Sequence, residues 1–327
     1  MMIEKQKTRY ENIDFMKGIC ILLVVAAHID LPLFSYPCFT LFRMPLYYFL
    51  SGVFFSKYDG LKTFAIKKSN NLLIPYVFFS VLPIIFLFCY YYLKYLDFLE
   101  AYNKAIPLFN APMWFLVSLF EVGILMFIVS SIKKTTIQIS IVMFVSVLGY
   151  YMCREGVILP FYLNTALCGS VFYYLGFFLR RYHFIENRSS VVKKFWGTFF
   201  IFCLIAFCII PGKELSLISY KIPFAYIWFL LSGMMGTICL FYFSIIVEKF
   251  TPINYLGRYS IIILGTHWYY VKTWTYFLLP SVIGSWWCRC LIFLFAIMLS
   301  FPTIDFCKKF IPFFTAQRPL IKIPNNT

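Results

Sequence analysis

Long apolar segments recur along almost the whole chain, and they constrain its fold more than any other feature. A helix that spans a bilayer needs about 20 mostly apolar residues. Only 13% of the residues are charged, against about 25% in soluble domains. Ten segments are predicted to span: 13–31, 39–56, 72–93, 112–132, 136–152, 160–179, 195–211, 223–247, 258–279 and 286–311. The sequence therefore predicts an all-α, polytopic membrane helix bundle of about ten transmembrane helices, forming a single domain over residues 1–327.

The distribution of basic residues orients this bundle. An even number of spans places both termini on one side of the membrane. If that side is the cytoplasm, about 20 Lys and Arg residues lie in cytoplasmic loops and about 7 in outer loops. Cytoplasmic loops of membrane proteins carry such an excess. We expect both termini to be cytoplasmic, and the net charge of +16 needs no nucleic acid partner to account for it.

The first predicted span carries three ionisable side chains, which are costly in a membrane and usually mark a function. At about 100° per residue, Lys17 and His28 are about 20° apart around the helix and about 16 Å apart along it. Asp14 shares this face and can pair with Lys17 three residues later. Lys17 can instead snorkel to the interface, and His28 can be structural, but three aligned groups favour a functional site.

The second and fourth predicted spans carry further polar residues. Arg43 lies near the outer end of the second span, as an interfacial anchor or as a functional group. Ser51 and Gly52 form a small pair of the kind that lets helices pack closely, and we favour that role for them. Glu121 is an intramembrane carboxylate in the fourth span, and we expect it to face the bundle interior, either paired or protonated.

Other polar and aromatic positions have a topological or structural explanation when each is taken alone. Lys67 and Lys68 lead into the third predicted span from the cytoplasmic side. Trp114 opens the fourth span at the level of an interfacial aromatic belt. His267 lies inside the ninth span. The cysteines and histidines show no metal-ligand spacing, so we predict no metal site.

In combination and in order, these motifs resemble those of the acyltransferase-3 superfamily of bacterial membrane acyltransferases. The positions that carry the resemblance are Arg9, Asp14, Lys17, Gly18 and His28 in the first span, Arg43, Pro45, Phe49, Ser51 and Gly52 in the second, 72–76, 114–116, and 254–260 followed by His267. One departure is Asn71, where members often carry Arg. Phosphate binding at this loop would then fall to Lys67 or Lys68.

The resemblance implies a membrane O-acyltransferase in the bacterial cytoplasmic (inner) membrane. Such an enzyme moves an acyl group, most often acetyl, from cytoplasmic acyl-CoA to a hydroxyl of an extracytoplasmic or lipid-linked glycan. Acetyl-CoA or another acyl-CoA is then a co-substrate, and no permanently bound cofactor is implied. The acceptor sugar, the hydroxyl position and the acyl chain length are not readable from the residues.

Within this hypothesis each candidate residue has a role. His28 is the general base or the acyl carrier, and Arg43 stabilises the oxyanion or orients the acceptor. Lys17, held in place by Asp14, binds the phosphates of CoA at the inner mouth, or Lys67 and Lys68 bind them instead. The remaining candidates are assigned to substrate binding: Trp114, Ser51, Glu121 and His267.

Two other classes of function compete with the enzyme. A helix bundle with intramembrane charges can also be an exporter of a glycan or a small solute, without acyl transfer. No pair of Gly- or Pro-broken spans recurs at matching places in two halves of the chain, which argues against a transporter built from repeats. The third possibility is an inactive scaffold of a glycan-assembly complex. Saturable binding of acetyl-CoA with release of CoA would favour the enzyme.

Overall fold

The computed structural model describes residues 11–31, 37–106, 109–181, 196–199, 226–247, 250–277 and 285–322, and these residues are almost entirely helical, with no strand among them. In chain order the main helices are α1 (Glu11–His28), α2 (Pro37–Val53), α3 (Leu61–Tyr95), α4 (Phe98–Ala105), α5 (Trp114–Val129), α6 (Thr135–Arg154), α7 (Leu163–Arg181), α8 (Tyr226–Val247), α9 (Thr251–Arg258), α10 (Ser260–Phe277) and α11 (Trp286–Phe310). The predicted all-α class is confirmed for these residues.

Six helical segments in the described ranges are long and apolar enough to cross a membrane: Leu61–Tyr95, Ala111–Val129, Thr135–Arg154, Pro160–Arg181, Tyr226–Val247 and Trp286–Phe310. α1, α2 and α10 coincide with three more predicted spans but are shorter or more polar; α1 holds Glu11, Asp14 and Lys17 within its 18 residues. The predicted span 195–211 lies outside the described residues except at 196–199. The chain is a multi-pass membrane protein, while the number ten and the cytoplasmic termini stay predictions.

α2 packs closely against α7, and glycines on both helices make this possible. A Cβ atom on Gly52 of α2 would overlap the backbone carbonyl of Tyr173, and one on Gly176 of α7 would overlap that of Phe49. Small residues allow such backbone approach in membrane helices, where packing rather than hydrophobic burial drives association. Gly52 therefore has the packing role that the sequence favoured.

α1 is fixed in the same way against the short helix α9. A Cβ atom on Gly18 would overlap the carbonyl of Ile253, and one on Gly257 would overlap the carbonyl of Asp14. The Asn254 amide also donates to the Glu11 carbonyl at 3.3 Å. This contact holds the first turns of α1 in place and thereby positions its ionisable side chains.

α3 departs from regular α-helical winding at two π-helical turns, Ser69–Leu73 and Val77–Val81. Segments of this type are rare and occur often at functional sites. In the first of them Asn70 holds the C-terminal segment: its amide nitrogen donates to the Ile321 carbonyl at 2.9 Å, and its oxygen accepts from the backbone nitrogens of Leu320 and Ile321 at 2.9 Å and 2.8 Å. The chain after α11 thus lies against the start of α3.

Candidate functional site

A cavity of about 200 Å³ lies where α1, α2, α3 and α5 meet. Two of the predicted acyl-CoA-binding residues line it, Lys17 from α1 and Lys68 from α3. Its polar lining also includes Ser51 from α2 and Asn71 from the first π-helical turn of α3. The structure therefore brings together residues that the sequence placed in the first two predicted spans and in the loop before the third.

The two lysines make this cavity cationic, and aromatic rings form part of its wall. Nζ of Lys17 lies 4.6 Å from the centre of the Phe54 ring. Nζ of Lys68 donates to the Tyr173 hydroxyl at 3.4 Å. No acidic side chain is among the described residues that line the cavity. Two ammonium groups facing one small space suit an anionic group such as a phosphate.

Two other residues predicted to bind acyl-CoA lie outside the lining of the cavity. Nζ of Lys67 is 3.7 Å from the centre of the Tyr58 ring, so Lys67 and Lys68 diverge although they are neighbours in sequence. Asp14 is 9% exposed, and its backbone carbonyl faces Gly257 of α9. Its ion pair with Lys17 stays a prediction.

A second cluster of functional side chains lies at the far end of α1, where His28 meets α10. The ring centres of His28 and His267 are 5.3 Å apart. The Trp268 ring stands edge-on to His28, with the centres 5.4 Å apart. Nζ of Lys272 lies 4.7 Å from the centre of the Trp268 ring. Two histidines from opposite ends of the sequence thus form one pair.

The hydrogen bonding of His267 defines its tautomer. Its Nδ1 lies 2.9 Å from the backbone carbonyl oxygen of Ile263. A carbonyl only accepts hydrogen bonds, so Nδ1 carries the proton and Nε2 of the neutral ring is bare. The His267 side chain is 1% exposed, and Nε2 has no hydrogen-bond partner within the described part of the chain. His267 therefore presents a buried acceptor nitrogen beside His28.

Arg43 approaches the histidine pair from α2. The Cys20 thiol donates to the Arg43 carbonyl at 3.1 Å, which places the Arg43 backbone about two turns from His28 along α1. The charged groups of Arg43 and Lys272 both act electrostatically on the His28 ring, and one guanidinium nitrogen of Arg43 is buried. Two cations near one imidazole can stabilise negative charge that develops there during a reaction.

Trp114 and Glu121, both on α5, lie apart from the lining of the cavity. Trp114 is 5% exposed and its ring centre is 5.7 Å from those of Phe115 and Tyr162. Glu121 is half-buried, and its Oε2 has no hydrogen-bond partner among the described residues. It stands about 200° around α5 from Leu119, which does line the cavity. Their roles in substrate binding stay predictions.

Four residues at these two clusters were not selected from the sequence. Lys272 is one of the basic residues that the charge distribution assigns to the outer side, although it lies five residues after His267 on the same helix. Trp268 follows His267 directly, but tryptophan is common at membrane interfaces and gave no separate signal. The other two residues are Tyr173, which lies beside Lys68, and Asn71, which lines the cavity. Only the packing of α3 against α5 and α7 identifies them.

The fold and the two clusters define a multi-pass, all-α membrane protein with a cationic cavity at one end of α1 and a histidine pair at the other. The acyltransferase-3 family model, described as an acyltransferase domain, matches residues 10–305. The chain therefore belongs to the acyltransferase-3 family and is a membrane acyltransferase. Comparisons with curated proteins and with solved structures return no match.

Proposed function

We propose that this protein transfers an acetyl group from acetyl-CoA to a hydroxyl of an extracytoplasmic or lipid-linked glycan in the bacterial cytoplasmic membrane. The observation that carries the proposal is the layout of α1. Its Lys17 lines the cationic cavity, and its His28 meets His267, about 16 Å further along the helix. The extended pantetheine arm of CoA has a comparable length. A donor held by its phosphates at Lys17 can therefore present its thioester near His28.

The donor end of this site is the cavity between Lys17 and Lys68. Ammonium groups bind phosphate strongly where water is partly excluded, and acyl-CoA is made in the cytoplasm, toward which the sequence orients this end of α1. Ser51 lines the same cavity, so in this proposal it contacts acyl-CoA and not the glycan. Trp114 and Glu121 remain candidates for the acceptor.

The chemistry is assigned to His28 and Arg43. The acceptor hydroxyl oxygen bonds to the thioester carbon while its proton passes to His28. Arg43 stabilises the oxyanion of the tetrahedral intermediate. The carbon–sulfur bond then breaks, and the CoA thiolate takes the proton back from His28. If His28 instead accepts the acetyl group itself, the same atoms balance over two steps, and an acetylated enzyme would be trapped when the glycan is withheld.

The test is acetyl transfer by His28→Ala. Membranes that contain wild-type or variant protein receive acetyl-labelled acetyl-CoA and the host glycan, and both label in glycan and released CoA are measured. Loss of a general base lowers the rate about 10²- to 10⁴-fold. His183→Ala is the matched control, because the sequence places this histidine in a basic loop outside the predicted spans.

Unchanged transfer by well-folded His28→Ala would overturn the assignment of the base. A glycan that crosses the membrane with no release of CoA, in the wild type as in the variant, would favour the exporter over the enzyme.

A further inference from the structure

His267 has one ring nitrogen engaged and one open, in a buried position. Nδ1 donates to the Ile263 carbonyl, and Nε2 faces no donor within hydrogen-bond range in the described residues. Buried polar atoms are almost always hydrogen-bonded, because leaving one unsatisfied is costly. Nε2 of His267 is therefore a buried acceptor that a neighbouring N–H group can engage.

The ring of His28 is well placed to be that donor. The two ring centres are 5.3 Å apart with 38° between the ring planes. An N–H···N bond of about 3 Å between two imidazoles gives a centre separation of about 5 Å, since each nitrogen lies about 1 Å from its ring centre. The observed separation of the ring centres is therefore compatible with such a bond. The charged groups of Arg43 and Lys272 also act on His28. Both are cations, which donate hydrogen bonds and do not accept them. Of these three neighbours, only His267 can accept a hydrogen bond from the His28 ring.

We propose that His267 is a positioning residue for the acyl transfer proposed above: its Nε2 accepts a hydrogen bond from the ring N–H of His28. This bond fixes the tautomer of His28 so that its other nitrogen is bare and can take the proton of the acceptor hydroxyl. When His28 becomes the imidazolium, both of its N–H groups have an acceptor, one at His267 and one at the departing thiolate. His267 itself gains and loses no proton.

The surroundings of the pair favour this orientation. Trp268 stands edge-on to His28 at 5.4 Å and limits how the ring can turn. The hydrogen bond from Nδ1 of His267 to the Ile263 carbonyl holds the His267 ring on the side opposite Nε2. The pair therefore has one ring held by a backbone hydrogen bond and one ring restricted by Trp268, as expected of a support and the base that it orients.

Two substitutions of His267 distinguish its proposed role as an acceptor for His28 from a purely structural role of its hydrogen bond to Ile263 within α10. His267→Gln places an amide oxygen near the position of Nε2 and loses the Nδ1 donor. His267→Asn keeps a donor for the Ile263 carbonyl and has nothing at Nε2. Thr266→Val is the control, because the Thr266 hydroxyl donates to the Ile262 carbonyl, a bond of the same kind one residue away.

We expect kcat for acetyl transfer to fall about 10- to 100-fold in His267→Asn, with the KM for acetyl-CoA unchanged. His267→Gln should retain a clearly higher kcat, and Thr266→Val should equal the wild type. A His267→Asn variant equal to or above His267→Gln would show that the Ile263 bond is what matters and would overturn the proposal.

Acetyl-CoA affinity and the His28→Ala variant are measured in parallel. Retained affinity shows that each variant is folded. If His28→Ala remains active, the proposed mechanism fails whatever the His267 variants do. If His28→Ala is inactive while both His267 variants keep wild-type kcat, only the role of His267 fails.

Discussion

Neighbouring residues of one type have different surroundings in this protein. Lys67 and Lys68 share a basic segment, and the sequence offers either as a phosphate ligand. In the structure the ammonium of Lys67 stands over the Tyr58 ring, whereas Lys68 lines the cavity with Lys17. One step along a helix turns a side chain by about 100°, which is enough to move a charge out of a cavity of this size.

The first prediction belongs to this scale. Lys68→Met keeps the length of the side chain and removes its charge, so acetyl-CoA should bind about 10- to 100-fold more weakly, as expected for one charge-assisted hydrogen bond of about 1.5–3 kcal/mol. Calorimetry with the purified protein and acetyl-CoA measures this. Lys67→Met is the matched control and should bind within about twofold of the wild type. Equal losses in both variants would remove the distinction between the two lysines.

At the scale of helices, close backbone contacts hold in place α1 and α2, the helices that carry residues of the candidate site. α2 brings Arg43 and Ser51 to α1, and its own position depends on the contact of Gly52 with α7. α1 depends in turn on Gly18 and Gly257 at its contact with α9. Lipid tails are as apolar as side chains, so in a membrane such fitted contacts hold helices together.

A substitution at one of these contacts should therefore destabilise the bundle. In Gly52→Ala the new methyl group overlaps the Tyr173 carbonyl, and the free energy of unfolding should fall by about 1–3 kcal/mol. The same substitution at Gly123 is the control, because its Cβ meets only the Phe64 ring at 3.5 Å and Lys68 Cε at 3.9 Å. Melting temperatures in detergent compare the two. A Gly52→Ala protein as stable as Gly123→Ala would contradict this packing.

At the scale of the whole molecule, the proposed acyl transfer needs a site with two ends that open to different compartments. In that proposal the cavity that holds the donor faces the cytoplasm, where acyl-CoA is made, and the acceptor reaches His28 from the other side. The C-terminal segment lies against the cavity end of α3 through Asn70. The orientation of that segment therefore reports the orientation of the cavity.

Labelling of introduced cysteines tests this orientation. In intact cells an impermeant maleimide should label Lys104→Cys, which is exposed on α4 and predicted to lie outside. Lys322→Cys and Lys5→Cys should react only after the membrane is opened, as cytoplasmic termini require. The unmodified protein gives the background from native cysteines. Labelling of Lys322→Cys in intact cells would place the cavity on the outer side and contradict the proposed route of the donor.

Two local properties of the sequence, helical periodicity and the length of the apolar segments, account for what could be predicted without the structure. Helical periodicity puts Lys17 and His28 on one face of α1 whatever surrounds that helix, and apolar length predicts membrane helices without knowledge of their neighbours. The order of motifs then led to the family, which the match over residues 10–305 confirms. The two π-helical turns of α3, which lie on either side of Pro75, were not predicted, because the periodicity of apolar residues does not distinguish a π-helical turn from an α-helical one.

The sequence by itself determined that this is an α-helical membrane protein of the acyltransferase-3 type, with a lysine and a histidine aligned on its first helix. Only the tertiary structure decided that Lys68 and not Lys67 joins Lys17, that Gly52 contacts α7, and that His267 meets His28. The physical reason is that periodicity acts within one helix, whereas the faces that meet are chosen by backbone fit between helices. In a chain that is apolar on nearly every face, hydrophobic pattern cannot distinguish a lipid neighbour from a protein neighbour.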